Sequence, residues 1–269
     1  MKKKLIILTG PTAVGKTDLS IRLARTVGGE IISADSMQVY RRMDIGTAKI
    51  RPEEMDGVRH HLIDILEPTE SFNAFLFKEY ALKAANEIWE RGCIPIIVGG
   101  TGFYIQTLLY DIEFVKSDEN DGIRDELNKL YEEHGAAFLH DMLAKADPEY
   151  AAEVHENNVK KVIRAIEFYR QTGHKLSEHN TEQRERTSPY NFEYFVLSDD
   201  RAVLYERIDK RIDKMVEAGL IAEVQALLDE GVDRRSVAMQ GLGYKEIASY
   251  LAGEISLDEA IYILKRDTR

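Results

Sequence analysis

Short apolar runs alternate with amphipathic stretches in the first hundred residues of the chain. This alternation is typical of a parallel α/β sheet, in which the runs form strands and the stretches form helices. A helix that carries Leu19 and Leu23 on one face should end at Gly28, and a longer amphipathic helix should follow between the third and fourth strands. The strands are predicted at residues 4–8, 30–34, 61–66 and 94–98, and the longer helix at 72–91.

The pattern changes near residue 111. From there to about residue 189 the chain is helical in period, charged and without clear strands, which indicates an inserted helical subdomain. An apolar run at 192–197 predicts a return strand, and helical patterns follow at 200–228 and up to the last residue. We therefore predict an α/β core made of residues 1–110 and 190–269, interrupted by a helical insertion at 111–189.

Composition agrees with a globular protein. The chain has 269 residues, of which 44% are apolar and 31% charged, and its single cysteine excludes a disulfide framework. The N-terminus begins like a signal peptide, but only four apolar residues precede Thr9, too few for its apolar region. No apolar run approaches the roughly 20 residues of a membrane span. We expect a cytoplasmic protein with no membrane partner.

The formal net charge of −11 argues, by itself, against a polyanionic partner. The charge is unevenly distributed, however. Residues 1–51 hold ten Lys and Arg against four Asp and Glu, whereas residues 111–156 hold four against fourteen. Residues 157–186 are basic again, with seven against four. Two parts of the chain can therefore attract anions in spite of the overall charge.

A glycine-rich turn follows the first predicted strand and matches G-x-x-x-x-G-K-[ST] in full. Its glycines let several backbone N–H groups converge on phosphate oxygens at the start of a helix. The lysine adds a point charge, and the hydroxyl of Thr17 can ligate Mg²⁺. The turn predicts a P-loop NTPase-like core with phosphate-binding residues Gly10, Pro11, Thr12, Ala13, Val14, Gly15, Lys16 and Thr17.

Asp35 follows the second predicted strand, at the carboxyl edge where open α/β sheets bind ligands. Its carboxylate can hold Mg²⁺ through water, act as a general base, or simply cap a turn. Thr101 follows the fourth predicted strand in a glycine-rich segment at the same edge. That segment is a weak motif, and a plain strand-to-helix turn is its default interpretation.

Two basic stretches lie further along the chain. In the insertion, Lys160 and Arg164 share a helix face, with Lys161 beside them. The stretch 201–214 interleaves five cations with three acids and is largely a solvated, self-paired helix face, although one of its arginines can reach the phosphates. His60 and His61 are adjacent and lack metal-ligand spacing, so a structural role is expected.

Several blocks, in this order, resemble the tRNA dimethylallyltransferase (tRNA isopentenyltransferase) family over essentially the whole chain. The blocks are GPTAVGKT (10–17), ISADSMQVY (32–40), MDIGTAK (43–49), HHLID (60–64), PIIVGGTGFY (95–104), VIRAIE (162–167) and QGLGYKE (240–246). The resemblance implies transfer of a dimethylallyl group from dimethylallyl diphosphate to the exocyclic amine (N6) of the adenosine at tRNA position 37, next to the anticodon.

The resemblance also implies roles for individual residues. Asp35, Thr101 and Arg211 fall on the catalytic positions, and the P-loop from Thr12 to Thr17 would bind the donor diphosphate rather than ATP. Asp35 would take the amine proton, and Mg²⁺ is the expected cofactor. The tRNA anticodon stem-loop would contact Asp35, Ser36, Met37, Gln38, Thr101, Arg124, Lys160, Lys161 and Arg164.

Two departures from the family pattern matter. Family members continue past the LKRDTR block at 264–269 into a basic, aromatic segment, so we expect part of the tRNA-binding surface either to be absent or to lie beyond Arg269. In addition, Val159, Lys160 and Lys161 replace a more usual proline- or arginine-containing run. Because that further segment should be basic, we expect the natural protein to carry less net negative charge than the −11 of this sequence. We also expect a monomer.

Three alternatives share part of the pattern. A P-loop kinase for a nucleotide or small metabolite would explain the P-loop, Asp35 and the lid-like insertion, but not the blocks DSMQVY and QGLGYKE. An adenylate isopentenyltransferase would use a free nucleotide and would not need a basic insertion. A non-catalytic nucleotide switch needs a base-specificity motif, and none is apparent.

Overall fold

The computed structural model describes residues 2–114 and 122–269. The chain forms two compact units: Met1–Leu109 with Ser188–Arg269, and Tyr110–Thr187. The predicted boundaries at 110 and 190 lie within three residues of this division. Among the described residues, no helix combines the length and the apolar character that crossing a bilayer requires.

The first unit is built on a five-stranded parallel sheet. The strands are β1 (Lys4–Thr9), β2 (Gly29–Ser33), β3 (His60–His61), β4 (Ile94–Gly99) and β5 (Asn191–Val196). Their order across the sheet is β3-β2-β4-β1-β5, so β4 lies between β2 and β1. The segments that follow these three neighbouring strands therefore meet at one edge of the sheet.

Helices cover both faces of this sheet. The helix α1 (Lys16–Val27) places Ile21 and Ala24 against Ile31 and Ile96. Ile32 of β2 and Ile97 of β4, the next residues along these strands, point to the opposite face and are fully buried. The helices α2 (Ala74–Glu90) and α3 (Gly102–Leu109) complete this part of the core, where the ring of Phe77 stacks on that of Tyr104 at 4.9 Å.

Four helices end the first unit: α8 (Arg201–Glu217), α9 (Leu220–Asp229), α10 (Tyr244–Leu251) and α11 (Leu257–Thr268). The predicted single stretch at 200–228 is wrong in one respect, because Gly219 at φ 106° breaks it into α8 and α9. Acids of α8 also pair outside their own helix. Lys265 of α11 contacts Asp213 at 2.5 Å, and Arg269 contacts Asp209.

The predicted strand at 61–66 is also wrong. The strand β3 contains only His60 and His61, because Leu62 and Asp64 adopt positive φ angles of 63° and 55°. Leu66 instead pairs with Tyr40 in an isolated bridge. The expected structural role of the two histidines fits what is seen for His61, whose Nε2 lies 2.7 Å from a carboxylate oxygen of Glu30.

The second unit is helical in its described part. It contains α4 (Ile123–Ala146), α5 (Pro148–Glu153), α6 (Val159–Thr172) and α7 (Leu176–Arg184). Leu127, Leu139 and Leu143 of α4 pack against apolar residues of α6 such as Val162 and Ile166. This unit therefore has a hydrophobic core of its own.

Candidate active site at the carboxyl edge of the sheet

A cavity of about 590 Å³ lies at the carboxyl edge of the sheet. The P-loop after β1, Asp35 after β2 and Thr101 after β4 all line it, and Arg211 of α8 joins them. These residues come from four separate parts of the chain. The strand order explains three of them, since β2, β4 and β1 are neighbours.

The P-loop has the backbone conformation of an anion cradle. Gly10 lies at φ 150°, and a Cβ there would stand 2.6 Å from the carbonyl oxygen of Leu197, so only glycine fits. Ala13 and Gly15 also have positive φ angles, 64° and 92°. The backbone N–H groups of residues 13–17 donate no hydrogen bond to any described residue, which leaves them available to phosphate oxygens.

Lys16 and Arg211 are the cations that line this cavity, and Asp18 and Asp35 are its carboxylates. Nζ of Lys16 donates to the carbonyl oxygens of Gly10 and Pro11 at 2.8 and 2.7 Å. Burial and then the charge of Arg211 lower the pKa of Lys16, while Asp35 raises it. Burial likewise lowers the pKa of Arg211, against the attraction of Asp35. The cations and carboxylates of the lining balance in number, so anion binding relies on Lys16 and Arg211 together with the unbonded N–H groups of the P-loop.

Arg211 differs from Arg207 and Lys210 of the same helix. It is half-buried, and it makes no ion pair or side-chain hydrogen bond with any described residue. By contrast, Arg207 pairs with Asp199 at 2.8 Å, and Lys210 pairs with Glu206 at 2.5 Å. Of these two pairs only Lys210–Glu206 lies within the stretch 201–214, so the predicted self-paired face describes Lys210 but neither Arg207 nor Arg211.

Asp35 serves as a turn residue through only one of its oxygens. Oδ1 accepts the backbone N–H groups of Met37 at 2.8 Å and Gln38 at 3.3 Å. Oδ2 has no hydrogen-bond partner among the described residues, and Asp35 lines the cavity. The turn interpretation and the general-base interpretation are therefore compatible, because each uses a different oxygen.

The side-chain amide of Gln38 is held in place. Its Nε2 donates to the carbonyl oxygen of Thr47 at 3.2 Å, and its Oε1 accepts the Ser33 hydroxyl at 3.4 Å. An amide has two N–H groups and an oxygen with two lone pairs. One donor and one acceptor therefore remain for a ligand, which is what reading the edge of a base requires.

An apolar recess of about 360 Å³ adjoins the phosphate-binding cavity. Thr12, Asp35, Ser36 and Arg211 line both spaces. The sequence did not indicate which residues form such a recess, because most of them lie far along the chain from the P-loop. Its apolar lining is Met37, Ile208, Ile212, Met215, Leu242 and Leu264.

A carboxylate of α9, missed in the sequence, holds the loop beside this recess. Oε2 of Glu223 accepts the backbone N–H groups of Asp44 and Ile45 at 2.9 and 2.8 Å, and Oε1 accepts that of Gly46 at 3.1 Å. A Cβ on Gly46 would stand 2.6 Å from the ring of Tyr244, so only glycine fits here as well. These contacts give the MDIGTAK and QGLGYKE blocks a physical role.

Tyr104, at the start of α3, was also missed. Burial and then the charge of Asp35 raise the pKa of its phenol to about 12. The phenol is therefore neutral near Asp35 at ordinary pH. No sequence signal separates it from an ordinary core tyrosine, because its apolar stacking on Phe77 is typical of either role.

The described residues contain no group of three or more His, Cys, Asp or Glu side chains placed to hold a metal. Within the cavity the protein offers the exposed hydroxyl of Thr17 and the second oxygen of Asp35. Mg²⁺ usually keeps several waters and binds through one or two protein oxygens plus substrate phosphates. The site fits a magnesium ion that arrives with a phosphorylated ligand.

The predicted tRNA-contacting residues of the insertion lie in the second unit. Lys160 and Lys161 are exposed at the start of α6 and have no acidic partner among the described residues. Arg164 lies one turn further on the same helix, and Arg124 is the second residue of α4. Both arginines pair with Glu167. Their contact with tRNA remains a prediction.

Two family models match the chain. The IPP transferase model matches residues 38–269, and the isopentenyl transferase model matches residues 3–71. A tRNA dimethylallyltransferase of Lachnoclostridium phytofermentans is 59% identical over 265 residues, which are 98% of this chain and 85% of the relative. That of Carboxydothermus hydrogenoformans is 51% identical over 269 residues, 100% of this chain and 86% of the relative.

Solved structures show the same relationship. The crystal structure of a full-length tRNA isopentenylpyrophosphate transferase from Bacillus halodurans superimposes with a TM-score of 0.73 at 47% identity, and covers 99% of this chain and 83% of that one. A eukaryotic dimethylallyltransferase acting on tRNA gives a TM-score of 0.85 at 32% identity, and covers 99% of this chain and 67% of that one. The predicted α/β fold with a parallel sheet and flanking helices is confirmed.

Proposed function

This chain belongs to the tRNA dimethylallyltransferase family, and from that premise we propose that it transfers a dimethylallyl group from dimethylallyl diphosphate to N6 of the adenosine at tRNA position 37. The protein is a tRNA prenyltransferase, so the kinase and nucleotide-switch alternatives fall away. One observation carries the proposed reaction in detail. Asp35 lines both the phosphate-binding cavity and the apolar recess, so the two spaces adjoin at this residue.

The diphosphate of the donor binds at the P-loop. Backbone N–H groups of residues 13–17, Lys16 and Arg211 surround it with positive charge. The bond between the allylic carbon and the diphosphate oxygen breaks during transfer, and the electron pair stays with the leaving diphosphate. Positive groups fixed in advance stabilise that growing charge more than they stabilise the ground state.

The proton on the attacking amine needs an acceptor. The N6 nitrogen forms a bond to the allylic carbon and loses one proton, which passes to Oδ2 of Asp35. Backbone N–H groups of Met37 and Gln38 hold the carboxylate through Oδ1. Proton transfer therefore does not require the turn to open.

The apolar recess receives the uncharged parts of the two substrates, the five-carbon tail and the purine ring. Gln38, already fixed by Thr47 and Ser33, lines the adjoining phosphate-binding cavity and reads the edge of the base from that side, with Ser36 and Met37 beside it. The adenosine must leave the stack of the anticodon loop to reach Asp35. Bases in RNA loops unstack more readily than bases in duplexes, which suits a target next to the anticodon.

Magnesium is the cofactor we propose, bound through the hydroxyl of Thr17 and water to Asp35. When bound, it supplies additional positive charge to the leaving diphosphate. The protein residues do the rest: they bind the donor, orient the amine and accept its proton. We also propose that the protein acts as a monomer on the anticodon stem-loop, with Lys160 and Lys161 of the insertion binding its phosphates.

The decisive test is a nucleoside digest. Purified protein is incubated with Mg²⁺, dimethylallyl diphosphate and unmodified tRNA that carries adenosine at position 37, and the RNA is digested and separated by mass. We expect N6-dimethylallyladenosine from this tRNA, none from a tRNA with guanosine at that position, and none from free AMP. Modification of AMP at a comparable rate would instead identify an adenylate isopentenyltransferase.

A further inference from the structure

Two arginines of the second unit share one buried carboxylate oxygen. Nη2 of Arg124 donates to Oε2 of Glu167 at 2.6 Å, and Nη1 of Arg164 donates to the same oxygen at 3.0 Å. Only 6% of the Glu167 side chain is exposed, against 57% for Arg124 and 40% for Arg164. The two guanidiniums thus stand at the surface, and their common anchor lies beneath them.

This arrangement differs from an ordinary ion pair between the same two helices. Arg170 of α6 pairs with Glu126 of α4 at 3.1 Å, and there the acid is the more exposed partner, at 58% against 31%. One arginine suffices to connect helices in that way. Two arginines on one oxygen leave a positive charge without compensation, and each guanidinium retains N–H donors suited to phosphate oxygens.

The surroundings add charge of the same sign. Lys160 lies four residues before Arg164 and therefore on the same face of α6, and Lys161 is next to it. Neither lysine has an acidic partner among the described residues. Two arginines that share a buried carboxylate thus have two unpaired lysines near them along α6, a pattern of charge that suits the phosphate backbone of a nucleic acid.

We propose that Glu167 is a positioning residue for tRNA: it fixes the guanidiniums of Arg124 and Arg164 side by side so that together they receive a backbone phosphate. This inference rests on the proposed function, since it takes tRNA as the ligand. Glu167 itself does not contact the RNA. Its contribution is to remove the rotational freedom that two long exposed side chains would otherwise lose on binding.

The variant Glu167→Gln separates positioning from simple charge. It removes a negative charge, so electrostatic attraction alone predicts tighter binding of tRNA. We expect the opposite: because a neutral amide oxygen holds the two guanidiniums less firmly than a carboxylate oxygen does, the dissociation constant for unmodified tRNA should rise by roughly three- to tenfold, the scale of one net hydrogen bond. The turnover number at saturating tRNA should not change.

Glu126→Gln is the matched control, because it changes the net charge equally and releases Arg170 from the same helix pair. It should bind tRNA as tightly as the unmodified protein or more tightly. Filter binding of the full chain at fixed ionic strength measures all three proteins, and thermal unfolding by circular dichroism shows whether each remains folded. Unchanged or tighter binding by Glu167→Gln overturns the positioning role.

Arg124→Lys provides a second test that does not disturb the buried position. It keeps the charge but loses the planar fork, so it should weaken binding, and combining it with Glu167→Gln should add little further loss. Should Glu167→Gln unfold, Arg124→Lys and Arg164→Lys are combined instead, and additive losses contradict a shared phosphate. A wild-type chain that neither binds nor prenylates tRNA refutes the proposed function itself, whereas the outcomes above refute only the role of Glu167.

Discussion

The hydroxyl of Tyr244 donates a 2.6 Å hydrogen bond to Oε1 of Glu223, and the Glu223 carboxylate also accepts three backbone N–H groups of the loop 44–46. Burial, and then the charge of Glu223, raises the pKa of Tyr244 far above its usual value, so the phenol remains a donor. The loop continues into Thr47, whose carbonyl oxygen orients Gln38. Two helices from the end of the chain therefore support the residue proposed to read the base.

Replacing Glu223 with glutamine should destabilise this loop. A glutamine has one acceptor oxygen for four donors, so we expect the free energy of unfolding in urea to fall by about 2–3 kcal/mol. The Michaelis constant for tRNA should rise more than that for the donor, because Gln38 loses its support. Glu217→Gln, at the exposed end of α8, should change neither quantity. A Glu223→Gln protein as stable as the wild type would contradict the role of this carboxylate.

Asp35→Asn tests whether one carboxylate oxygen holds the turn while the other accepts the proton. The amide oxygen of asparagine can still accept the backbone N–H groups of Met37 and Gln38, but the side chain cannot take a proton. We expect turnover to fall by roughly 10²–10⁴-fold, the contribution of a positioned general base, with tRNA affinity within a few-fold of the wild type. Asp35→Ala should lose turnover equally and also unfold at a lower temperature. Near-native turnover of Asp35→Asn would refute the base assignment.

Local patterns in the sequence were sufficient for the parts of the site that lie directly after strands. The P-loop, Asp35 and Thr101 each follow an apolar run, and parallel strands end at one edge of a sheet. The third predicted strand failed because the mostly apolar run 62–66 is typical of an extended strand, whereas Leu62 and Asp64 adopt positive φ angles that only the folded context imposes.

The remainder of the site depends on contacts between distant parts of the chain. Nothing near Glu223 distinguishes it from the many other acids on amphipathic helices, because its backbone partners lie almost 180 residues earlier. The recess likewise combines Met37 with Leu264. The available signal in the sequence was the glycines of the MDIGTAK and QGLGYKE blocks. Gly241 shows why a glycine is needed there, since a Cβ on it would stand 2.5 Å from the sulfur of Met37.

Pyrophosphate affinity should depend on pH through Lys16. The lowered pKa of this ammonium means that it loses its proton at a lower pH than an ordinary lysine, so affinity should decline from an earlier point as the solution becomes alkaline. Arg211→Gln should bind more weakly at neutral pH but show its alkaline decline at higher pH, because Arg211 is one of the groups that lower the pKa of Lys16. Calorimetric titration with pyrophosphate at several pH values measures the affinity of the wild type and of Arg211→Gln, and Arg201→Gln on the same helix is the control. Coincident declines in both proteins would contradict the coupling.

Stability in acid should depend on Glu30. Burial raises the pKa of this carboxyl, but hydrogen bonds from Arg91 and His61 outweigh burial and lower it below the usual 4.5. Its contribution to stability is therefore present above pH 4.5 and is lost as the pH falls through the lower folded-state value. Glu30→Gln should be less stable than the wild type by about 1–3 kcal/mol at pH 6, with the gap closing toward acid. Urea unfolding from pH 6 into acid measures the difference in stability between the wild type and Glu30→Gln. A difference that widens in acid contradicts the role of Glu30. The control Glu90→Gln should not show the same loss of stability.

Lys160 and Lys161 should account for part of the salt dependence of tRNA binding. Each lysine that neutralises a phosphate releases condensed counterions, so the logarithm of the affinity falls with the logarithm of salt by about 0.7–0.9 for each such contact. Replacing both with alanine should weaken tRNA binding at low salt and reduce that slope by up to about 1.5, while turnover at saturating tRNA stays the same. Lys78→Ala with Lys83→Ala, on α2 of the first unit, removes the same charge from a helix outside the insertion and should leave the slope near its wild-type value. If the two double variants shift the slope equally, the lysines of α6 act only through net charge, and the proposed phosphate contact at the start of that helix is wrong.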